Sequence, residues 1–342
     1  MEQIKLKRIP KKILIIKPSS LGDIVHSLPF LDALKTCFPK AKIDWVVAKG
    51  LEDLIEGHTM IDKLWVINKD RWKSARKLPE NLNEFKALYR GLRKESYDIA
   101  IDLQGLLRSG LLMKATNAPF RIGFKEAKEG SSFFYTHRVA GERNIHAVDR
   151  YLKIAEALGC VVEEVRFPMI LVKENENVGS IKSAFSEYAV LVPGARKIAN
   201  RWPAEKYGRL ASMLPVKSLI VGSQSDAAIA DEIVKTSEGK AISLAGKTDL
   251  REMISIIRGA RYVVSNDTGP MHIAAAFGIP VIAIFGPANP VRTGPYGRNN
   301  VIVKADVPCS PCYKRSCKKT ICMDAVSVDM VYNAIPKHLK GA

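Results

Sequence analysis

The sequence predicts an α/β protein built from two doubly wound domains, each a parallel sheet with helices on both faces. Short apolar strands alternate with helix-like segments, and this alternation is typical of parallel β–α–β units. The pattern is lost once, between residues 161 and 186, and then resumes. A length of 342 residues also fits two domains better than one. We therefore expect two Rossmann-like sheets facing a central cleft, with ligands beyond the carboxyl ends of the strands.

In the first half, apolar runs bounded by turn residues predict strands at 12–16, 43–47, 64–67 and 97–103. Helices are predicted from the turn at 18–23 to about residue 38 and at 81–95, 106–114 and 146–158. In the second half, strands are expected at 189–192, 218–221, 241–244, 262–264 and 280–285, with helices after 203 and at 226–235, 250–259 and 271–277. These elements divide the chain into an N-terminal domain at 1–165, a linker at 166–186 and a C-terminal domain at 187–325. A last helix at 326–342 could pack back on the N-terminal domain.

Composition and charge narrow the class of protein. The chain is 47% hydrophobic and 26% charged, as in ordinary globular proteins, and its apolar runs are too short to cross a bilayer. The basic start of the chain runs straight into a strand without an apolar signal core, so we expect a cytoplasmic protein. The formal net charge of +18 indicates an anionic partner, which could be nucleic acid, an acidic membrane surface or a phosphorylated substrate. The densest basic segment, 69–94, has nine basic and three acidic residues; it predicts either an anion-facing surface or a solvated helix face.

The stretch SNDTGPMHIAAAFGIPVIAIFG at 265–286 reads as strand, turn, helix and strand. Pro270 suits the first turn of a helix, where its missing N–H costs no hydrogen bond. The amides at the start of such a helix, together with the helix dipole, favour a bound anion, and His272 could add a donor. The alternative is an ordinary helix capped by Asp267 or Thr268.

Three turns with small residues are predicted at the carboxyl edges of the two sheets: 19–23, 193–195 and 267–269. Small residues let a phosphate approach the backbone closely. Neither a Gly-x-Gly-x-x-Gly motif after the first strand nor a P-loop lysine motif is present. This argues against a standard dinucleotide dehydrogenase and against a P-loop nucleotidase.

Five segments together resemble a known family. They are KPSSLGDIVHSLP at 17–29, IDWVVAKG at 43–50, IDLQGLLRS at 101–109, PGARKIANRWP at 193–203 and the 265–286 stretch. In this order they are similar to the bacterial ADP-heptose–lipopolysaccharide heptosyltransferases, glycosyltransferase family 9. Within the family, the DWVV stretch and the segment 71–73 look most like heptosyltransferase I, which adds the first heptose to Kdo-lipid A. A later core heptose remains an alternative.

The resemblance implies a GT-B fold, with an N-terminal acceptor domain and a C-terminal donor domain. It also implies an inverting transfer of heptose from ADP-L-glycero-D-manno-heptose to the Kdo region of the lipopolysaccharide inner core, with no metal and no other cofactor. The expected partners are this donor, an anionic lipid-linked Kdo acceptor and the anionic inner face of the inner membrane, where the protein would lie peripherally; nucleic acid is not expected. Asp23 matches the family's catalytic base, and a carboxylate beside a glycine turn can accept the proton of an acceptor hydroxyl. The alternative is that Asp23 only caps a helix, in which case Asp102 is the next candidate.

The other site residues also come from the resemblance. Those expected to bind the donor are Ala195, Arg196, Asn200, Arg201, Asp226, Asp267, Thr268, Gly269 and His272. Those expected to bind the acceptor are Lys17, Ser19, Ser20, Gly22, Arg71, Lys73, Gln104 and Arg121. Some positions keep an alternative: Lys17 could pair with a carboxylate, and Asp226 could begin a helix instead of binding ribose. The family usually has a lysine where this chain has Asn200, so Arg201 or Arg196 would supply the missing charge.

The cysteines near the C-terminus form a separate pattern. Cys309, Cys312, Cys317 and Cys322 are separated by two, four and four residues. Such spacing could bind zinc or an iron–sulfur cluster, or simply form a cysteine-rich loop. We expect no metal in the active site. Two further functions stay open against the transferase: a nucleotide-sugar epimerase on the same fold, and a nucleic-acid-binding protein, which the basic composition suggests but no motif supports.

Overall fold

In the computed structural model the chain forms two compact units, Met1–Ile170 and Leu171–Ala342. The structure describes residues 3–68, 78–142, 144–171 and 174–340, and of residues 78–82 only the backbone. The division at 170 and 171 falls inside the segment where the sequence places a linker. Part of that segment is helical, over Glu176–Ala184.

The first unit is built on six parallel strands. These are β1 (Lys12–Ile16), β2 (Lys42–Ala48), β3 (Lys63–Ile67), β4 (Ile99–Asp102), β5 (Phe120–Phe124) and β6 (His137–Val139), in the spatial order β3-β2-β1-β4-β5-β6. Its helices are α1 (Leu21–His26), α2 (Leu28–Cys37), α3 (Leu78–Lys94), α4 (Leu107–Thr116) and α5 (Ala147–Ala157), with 3-10 turns at Glu52–Leu54 and Ser131–Phe134. Residues 13 to 16 of β1 are fully buried, because helices cover a parallel sheet on both faces.

The second unit repeats this design. Its strands are β7 (Tyr188–Val192), β8 (Lys217–Ile220), β9 (Ala241–Ser243), β10 (Tyr262–Asn266), β11 (Val281–Phe285) and β12 (Asn300–Lys304), all paired in parallel. Its helices are α6 (Glu176–Ala184), α7 (Ala204–Met213), α8 (Ala227–Thr236), α9 (Leu250–Arg258), α10 (Gly269–Ala276), α11 (Pro290–Thr293), α12 (Ile321–Asp324) and α13 (Val328–Ala334), with 3-10 turns at Ile198–Asn200, Gln224–Asp226 and Lys337–Leu339. Trp202 and Tyr207 lie at the centre of its core, with their rings edge to face at 4.9 Å.

Both sheets have the same strand order. Read from β9, the second sheet runs β9-β8-β7-β10-β11-β12, which corresponds strand for strand to the first sheet. In each sheet the first strand of its unit lies beside the fourth, and the connections leave this pair in opposite directions. That pair is the topological switch point, where doubly wound sheets bind ligands beyond the carboxyl ends of the strands. The switch points are β1 with β4 and β7 with β10.

The predicted fold class of two doubly wound parallel sheets is confirmed. The strands β5, β6 and β12 are missing from the prediction, because β6 has three residues and the other two carry Arg121, Asn300 and Lys304 among their apolar residues. The single helix expected to end near residue 38 is two helices. Ser27 ends α1 and begins α2, and Pro29 stands in the first turn of α2, where a proline needs no amide partner.

The end of the chain belongs to the second unit. Helix α13 packs against α7, β11 and β12. The Trp202 indole N–H donates to the carbonyl of Val326, just before α13, at 2.9 Å. A buried tryptophan that finds such a partner fixes the position of the segment it contacts. Trp202 is thus a packing residue.

Candidate active site

Asp23 lies at the switch point of the first unit, in the first turn of α1. Its Oδ2 accepts hydrogen bonds from the backbone N–H of Ser20 at 2.9 Å and from the Ser20 hydroxyl at 2.7 Å. This is a capping-box arrangement, in which an acidic residue at N3 bonds back to the N-cap residue. The side chain of Asp23 nevertheless remains 38% exposed. Asp23 therefore does cap the helix, and its carboxylate is also accessible to a substrate.

The other oxygen of Asp23 faces two buried side chains. Lys17 follows β1 directly, and its Nζ lies 3.7 Å from Asp23 Oδ1 and donates to the carbonyl of Leu103 at 3.2 Å. The Tyr151 hydroxyl of α5 donates to the same Oδ1 at 3.4 Å. Burial, the largest single effect, would lower the pKa of the Lys17 ammonium, but the Asp23 carboxylate together with Tyr151 and Asp102 outweighs it, so this pKa lies above its usual value. Lys17 is therefore charged at neutral pH and pairs with a carboxylate, as one of the two sequence interpretations expects.

Asp102, the second carboxylate at this switch point, ends β4 and is fully buried. Its Oδ1 accepts the amides of Gln104 and Gly105 at 2.8 and 2.9 Å, and its Oδ2 accepts the hydroxyls of Ser109 and Tyr135, both at 2.7 Å. Burial raises the pKa of this carboxyl group, and the four hydrogen bonds oppose that effect. Asp102 thus organises the loop after β4, and its burial makes it a poor candidate for contact with substrate.

The loops after β1 and β4 meet, as their neighbouring strands require. The backbone N–H of Ser19 donates to the side-chain oxygen of Gln104 at 3.3 Å. Gly22 is buried inside α1. The structure thus brings six of the seven predicted catalytic and acceptor residues in the described part of the chain to one edge, together with Asp102: Lys17, Ser19, Ser20, Gly22, Asp23 and Gln104.

Arg121 does not join this group. It lies in β5, where its guanidinium donates to the carbonyls of Ala118 and Phe134 at 2.7 and 2.9 Å. In the register of the sheet it stands beside Ala100, two residues before Asp102 at the carboxyl edge. The predicted acceptor residues Arg71 and Lys73 lie outside the described residues.

Asn266 is the central polar residue at the switch point of the second unit. It ends β10 and is fully buried. Its amide nitrogen donates to the carbonyl of Pro193 at 2.7 Å, and its oxygen accepts the backbone N–H of Trp202 at 3.2 Å. One side chain thereby ties the loop after β7 to the loop after β10. Asn266 is not among the predicted site residues, although its place directly before the predicted anion-binding turn was a usable signal in the sequence.

The turn after Asn266 leads into α10 as the sequence predicts. Thr268 is the N-cap residue with an extended backbone, Gly269 begins the helix, and Pro270 occupies its first turn. Asn200 donates its side-chain amide to the Asp267 carboxylate at 3.0 Å and to the Asp267 carbonyl at 3.3 Å. His272 is buried within α10. This arrangement places helix-start amides at the carboxyl edge, which is the geometry that binds phosphate.

Asp226 and Arg201 form an ion pair beside this turn, with Arg201 Nη2 at 3.3 Å from Asp226 Oδ1. Arg201 also donates through Nε to the carbonyl of Ala195 at 2.9 Å. Asp226 Oδ2 accepts the amide and hydroxyl of Ser223 in a second capping box. A side chain on Gly194 would come within 2.7 Å of the Asp226 carboxylate, so this close approach requires glycine. Arg201, rather than the exposed Arg196, is the basic residue held against the loop.

The four C-terminal cysteines are free thiols in this structure. The Ser310 hydroxyl and the Cys312 amide donate to the carbonyls of Gly286 and Pro287, at 2.6 and 3.0 Å, which ties the cysteine-bearing loop after β12 to the loop after β11. Over the described ranges, no group of three or more His, Cys, Asp or Glu residues is arranged so that it could hold a metal ion. Among the helices of the described residues, none is both long and apolar enough to cross a membrane.

Comparison with known proteins identifies the relatives of this chain. The sequence profile of glycosyltransferase family 9 (heptosyltransferase) matches residues 85–322. Lipopolysaccharide heptosyltransferase 1 of Pseudomonas aeruginosa is 30% identical over 318 residues, covering 90% of this chain and 87% of that protein. Lipooligosaccharide heptosyltransferase 2 of Haemophilus ducreyi is also 30% identical over 318 residues, covering 86% and 88%. The solved structure of Escherichia coli heptosyltransferase WaaC with ADP-2-deoxy-2-fluoro heptose superposes with a TM-score of 0.75 at 25% identity, covering 94% of this chain and 98% of that one.

Proposed function

This chain belongs to glycosyltransferase family 9, the heptosyltransferases, and we propose that it moves a heptose from ADP-L-glycero-D-manno-heptose to the Kdo region of the lipopolysaccharide inner core, with inversion at the sugar carbon. The family and its relatives establish a heptosyltransferase of the lipopolysaccharide core. Two sheets of Rossmann type agree with the GT-B fold of such enzymes. The identities of donor and acceptor are the proposal.

The observation that carries the proposal is the difference between the two carboxylates of the first unit. Asp23 is 38% exposed, whereas Asp102 is buried and bonded by four donors. A general base has to reach the hydroxyl whose proton it takes. Asp23 meets this requirement, and Asp102 supports the loop beside it.

The proposed reaction is a single displacement. The acceptor hydroxyl oxygen bonds to the anomeric carbon of the heptose while the bond from that carbon to the ADP phosphate oxygen breaks. The proton of the hydroxyl goes to Asp23, and the bonding electrons leave with ADP. Placing the base opposite the leaving group gives inversion, and proton removal as the bond forms contributes roughly a hundred- to ten-thousand-fold in rate.

The second unit supports binding of ADP. The backbone N–H groups at the start of α10, which begins at Gly269, favour binding of the pyrophosphate. The Arg201 guanidinium, held by Ala195 and Asp226, adds positive charge. Asp226 lies in the loop after β8, the strand that pairs with β7. In Rossmann-type sheets a carboxylate at this position binds the ribose hydroxyls. WaaC of E. coli, with its ADP-heptose analogue, is a relative that binds this class of donor.

The acceptor and the membrane surface are proposed from charge. The chain carries a formal net charge of +18, and within the described part of the segment 69–94 the side chains of Lys86, Arg90, Arg93 and Lys94 are exposed on α3. A basic helix face of this kind attracts anionic lipid, and salt screens that attraction over about 8 Å at physiological ionic strength. We expect cosedimentation with anionic vesicles at low salt, lost at high salt, and no binding to neutral vesicles at either.

A second candidate is transfer to a later core heptose, because relatives of both kinds, heptosyltransferase 1 and 2, match this chain. The test is turnover of the purified enzyme with ADP-heptose and two acceptors, Kdo-lipid A and the same lipid already carrying one heptose, with products identified by mass spectrometry. We expect product from Kdo-lipid A. Product from the heptosylated lipid alone would assign the later step, and no product from either would contradict the proposed donor and acceptor pair.

A further inference from the structure

We infer that Tyr151 and Lys17 form a buried pair that positions the Asp23 carboxylate for proton transfer. The inference rests on the proposed function, in which Asp23 is the base. The two oxygens of Asp23 have different partners. Oδ2 is bonded at 2.9 and 2.7 Å by Ser20, in the helix cap. Oδ1 is approached by the Tyr151 hydroxyl at 3.4 Å and the Lys17 ammonium at 3.7 Å.

Tyr151 reaches Asp23 from a separate helix. It lies on α5, which packs against α1 and α2, and only 4% of the residue is exposed. Lys17 Nζ lies 5.2 Å from the centre of the Tyr151 ring. The centre of the Phe124 ring lies 6.3 Å from the centre of the same tyrosine ring. A buried tyrosine needs a partner for its hydroxyl, and the partner found here is the oxygen of Asp23 that the cap does not use.

The ionisation states fit a donor pair. Burial raises the pKa of the Tyr151 phenol, and the positive charge of Lys17 opposes this only in part, so the hydroxyl keeps its proton at neutral pH. Lys17 also stays charged, because its pKa is raised. Tyr151 can therefore donate to Asp23, and the Lys17 charge favours the ionised carboxylate that a base must be. The capping bonds on Oδ2 fix one end of the group, and the pair orients Oδ1.

The distances indicate how the pair works. At 3.4 and 3.7 Å both contacts are longer than strong hydrogen bonds. Contacts of catalytic groups are commonly long without substrate and shorten in the complex. Weak contacts hold the orientation of Oδ1 but leave its lone pairs able to accept the proton of an incoming hydroxyl. Tyr151 is thus a positioning residue that acts through Asp23.

The test is Tyr151→Phe, which keeps the ring and removes the hydroxyl. We expect kcat to fall about three- to tenfold, the amount that corresponds to one hydrogen bond, with KM for ADP-heptose and the melting temperature near wild type. The matched control is Tyr188→Phe, since Tyr188 is a buried tyrosine of the other unit whose hydroxyl donates to the carbonyl of Ile256 at 2.8 Å. That variant should keep the wild-type kcat.

A double variant separates positioning from mere packing. If Tyr151 acts through the base, adding Tyr151→Phe to Asp23→Asn lowers kcat no further. Lys17→Met provides a second single variant with an expected loss in kcat, in case Tyr151→Phe does not fold. The inference is overturned if both single variants turn over normally while Asp23→Asn is impaired, or if the losses of Tyr151→Phe and Asp23→Asn multiply fully. Normal turnover by Asp23→Asn would instead overturn the proposed base, and the positioning role with it.

Discussion

Asp102 and Asn266 stand at corresponding places in the two units: each is the last residue of the fourth strand, beside the first, at the carboxyl edge. Both are fully buried, and each holds a loop at the carboxyl edge of its sheet. Asp102 does so as an acceptor for four donors. Asn266 does so as both donor and acceptor, through the Pro193 carbonyl and the Trp202 amide. The same position of one shared strand order is therefore occupied by a carboxylate in the first unit and by an amide in the second.

The difference extends to the residues around them. The first switch point holds three ionisable side chains, those of Lys17, Asp23 and Asp102. The second presents the start of α10 and one ion pair, Arg201 with Asp226. A doubly wound sheet therefore supplies a place for a ligand, while the residues at the strand ends decide the chemistry. We propose proton transfer at the first switch point and nucleotide binding at the second.

The largest expected effect is that of Asp23→Asn. The amide oxygen can still accept the Ser20 hydrogen bonds that cap α1, but the amide cannot take a proton. We expect kcat to fall roughly a hundred- to ten-thousand-fold, with the affinity for ADP unchanged and the melting temperature lowered only by the loss of the Lys17 ion pair. Steady-state kinetics and calorimetric titration with ADP check this. A kcat near wild type would mean that Asp23 is a cap and nothing more.

The next largest effect is expected when the strand-end residues Asp102 and Asn266 are each changed to the residue type of the other. Asn266→Asp removes the N–H donor to the Pro193 carbonyl and buries a negative charge. Asp102→Asn replaces one carboxylate oxygen by an NH₂ group, which cannot accept the hydrogen bonds that Ser109 and Tyr135 donate there. Each change should lower the free energy of unfolding by about 1–3 kcal/mol, the usual cost of an unsatisfied buried polar group. Urea denaturation measures it.

The control for this exchange is Asn289→Asp. Asn289 caps α11 through its oxygen, which accepts the Val291 amide at 3.0 Å, and aspartate caps equally well. Its stability should match wild type. If either exchanged strand end were as stable as wild type, the two switch points would be chemically interchangeable, contrary to the comparison.

A smaller effect is expected at the ion pair of the second unit. Asp226→Asn keeps an oxygen for the Ser223 capping bonds but loses the charge that faces Arg201 and, as proposed, the ribose. We expect about a ten- to hundredfold weaker affinity for ADP, since hydrogen bonds to charged groups contribute roughly 1.5–3 kcal/mol. Asp249→Asn is the matched control, because Asp249 forms a capping box at α9 in the same unit. Equal ADP affinity of Asp226→Asn and wild type would remove Asp226 from the nucleotide site.

Much of this arrangement was predictable from the sequence. The alternation of apolar strands and helical segments predicts both sheets, and the turn at 265–286 predicts the start of α10, because local patterns and capping residues determine these features. The positions of Asp23, Lys17 and Gln104 at one edge follow from strand order. The predicted role of Arg121 is not supported by its placement, since whether an arginine side chain turns to a site or to nearby carbonyls depends on packing.

The contacts of two residues could not be predicted from the sequence for a physical reason. Tyr151 reads as an apolar residue on the inner face of α5, and only the packing of α5 against α1 brings its hydroxyl to Asp23. Asn266 lies at the end of an apolar strand, and its two partners are backbone groups of a loop more than sixty residues earlier. Contacts between residues so distant in the sequence arise from the fold as a whole.

Hydrogen exchange with and without ADP tests the division between the two switch points most directly. The measurement reports, along the wild-type chain, which backbone amides a bound nucleotide protects. We predict slower exchange in the segments 193–202 and 266–272 of the second unit and unchanged exchange in 17–24 and 102–106 of the first. Protection of 17–24 by ADP, with none in the two segments of the second unit, would contradict the assignment of nucleotide binding to the second switch point.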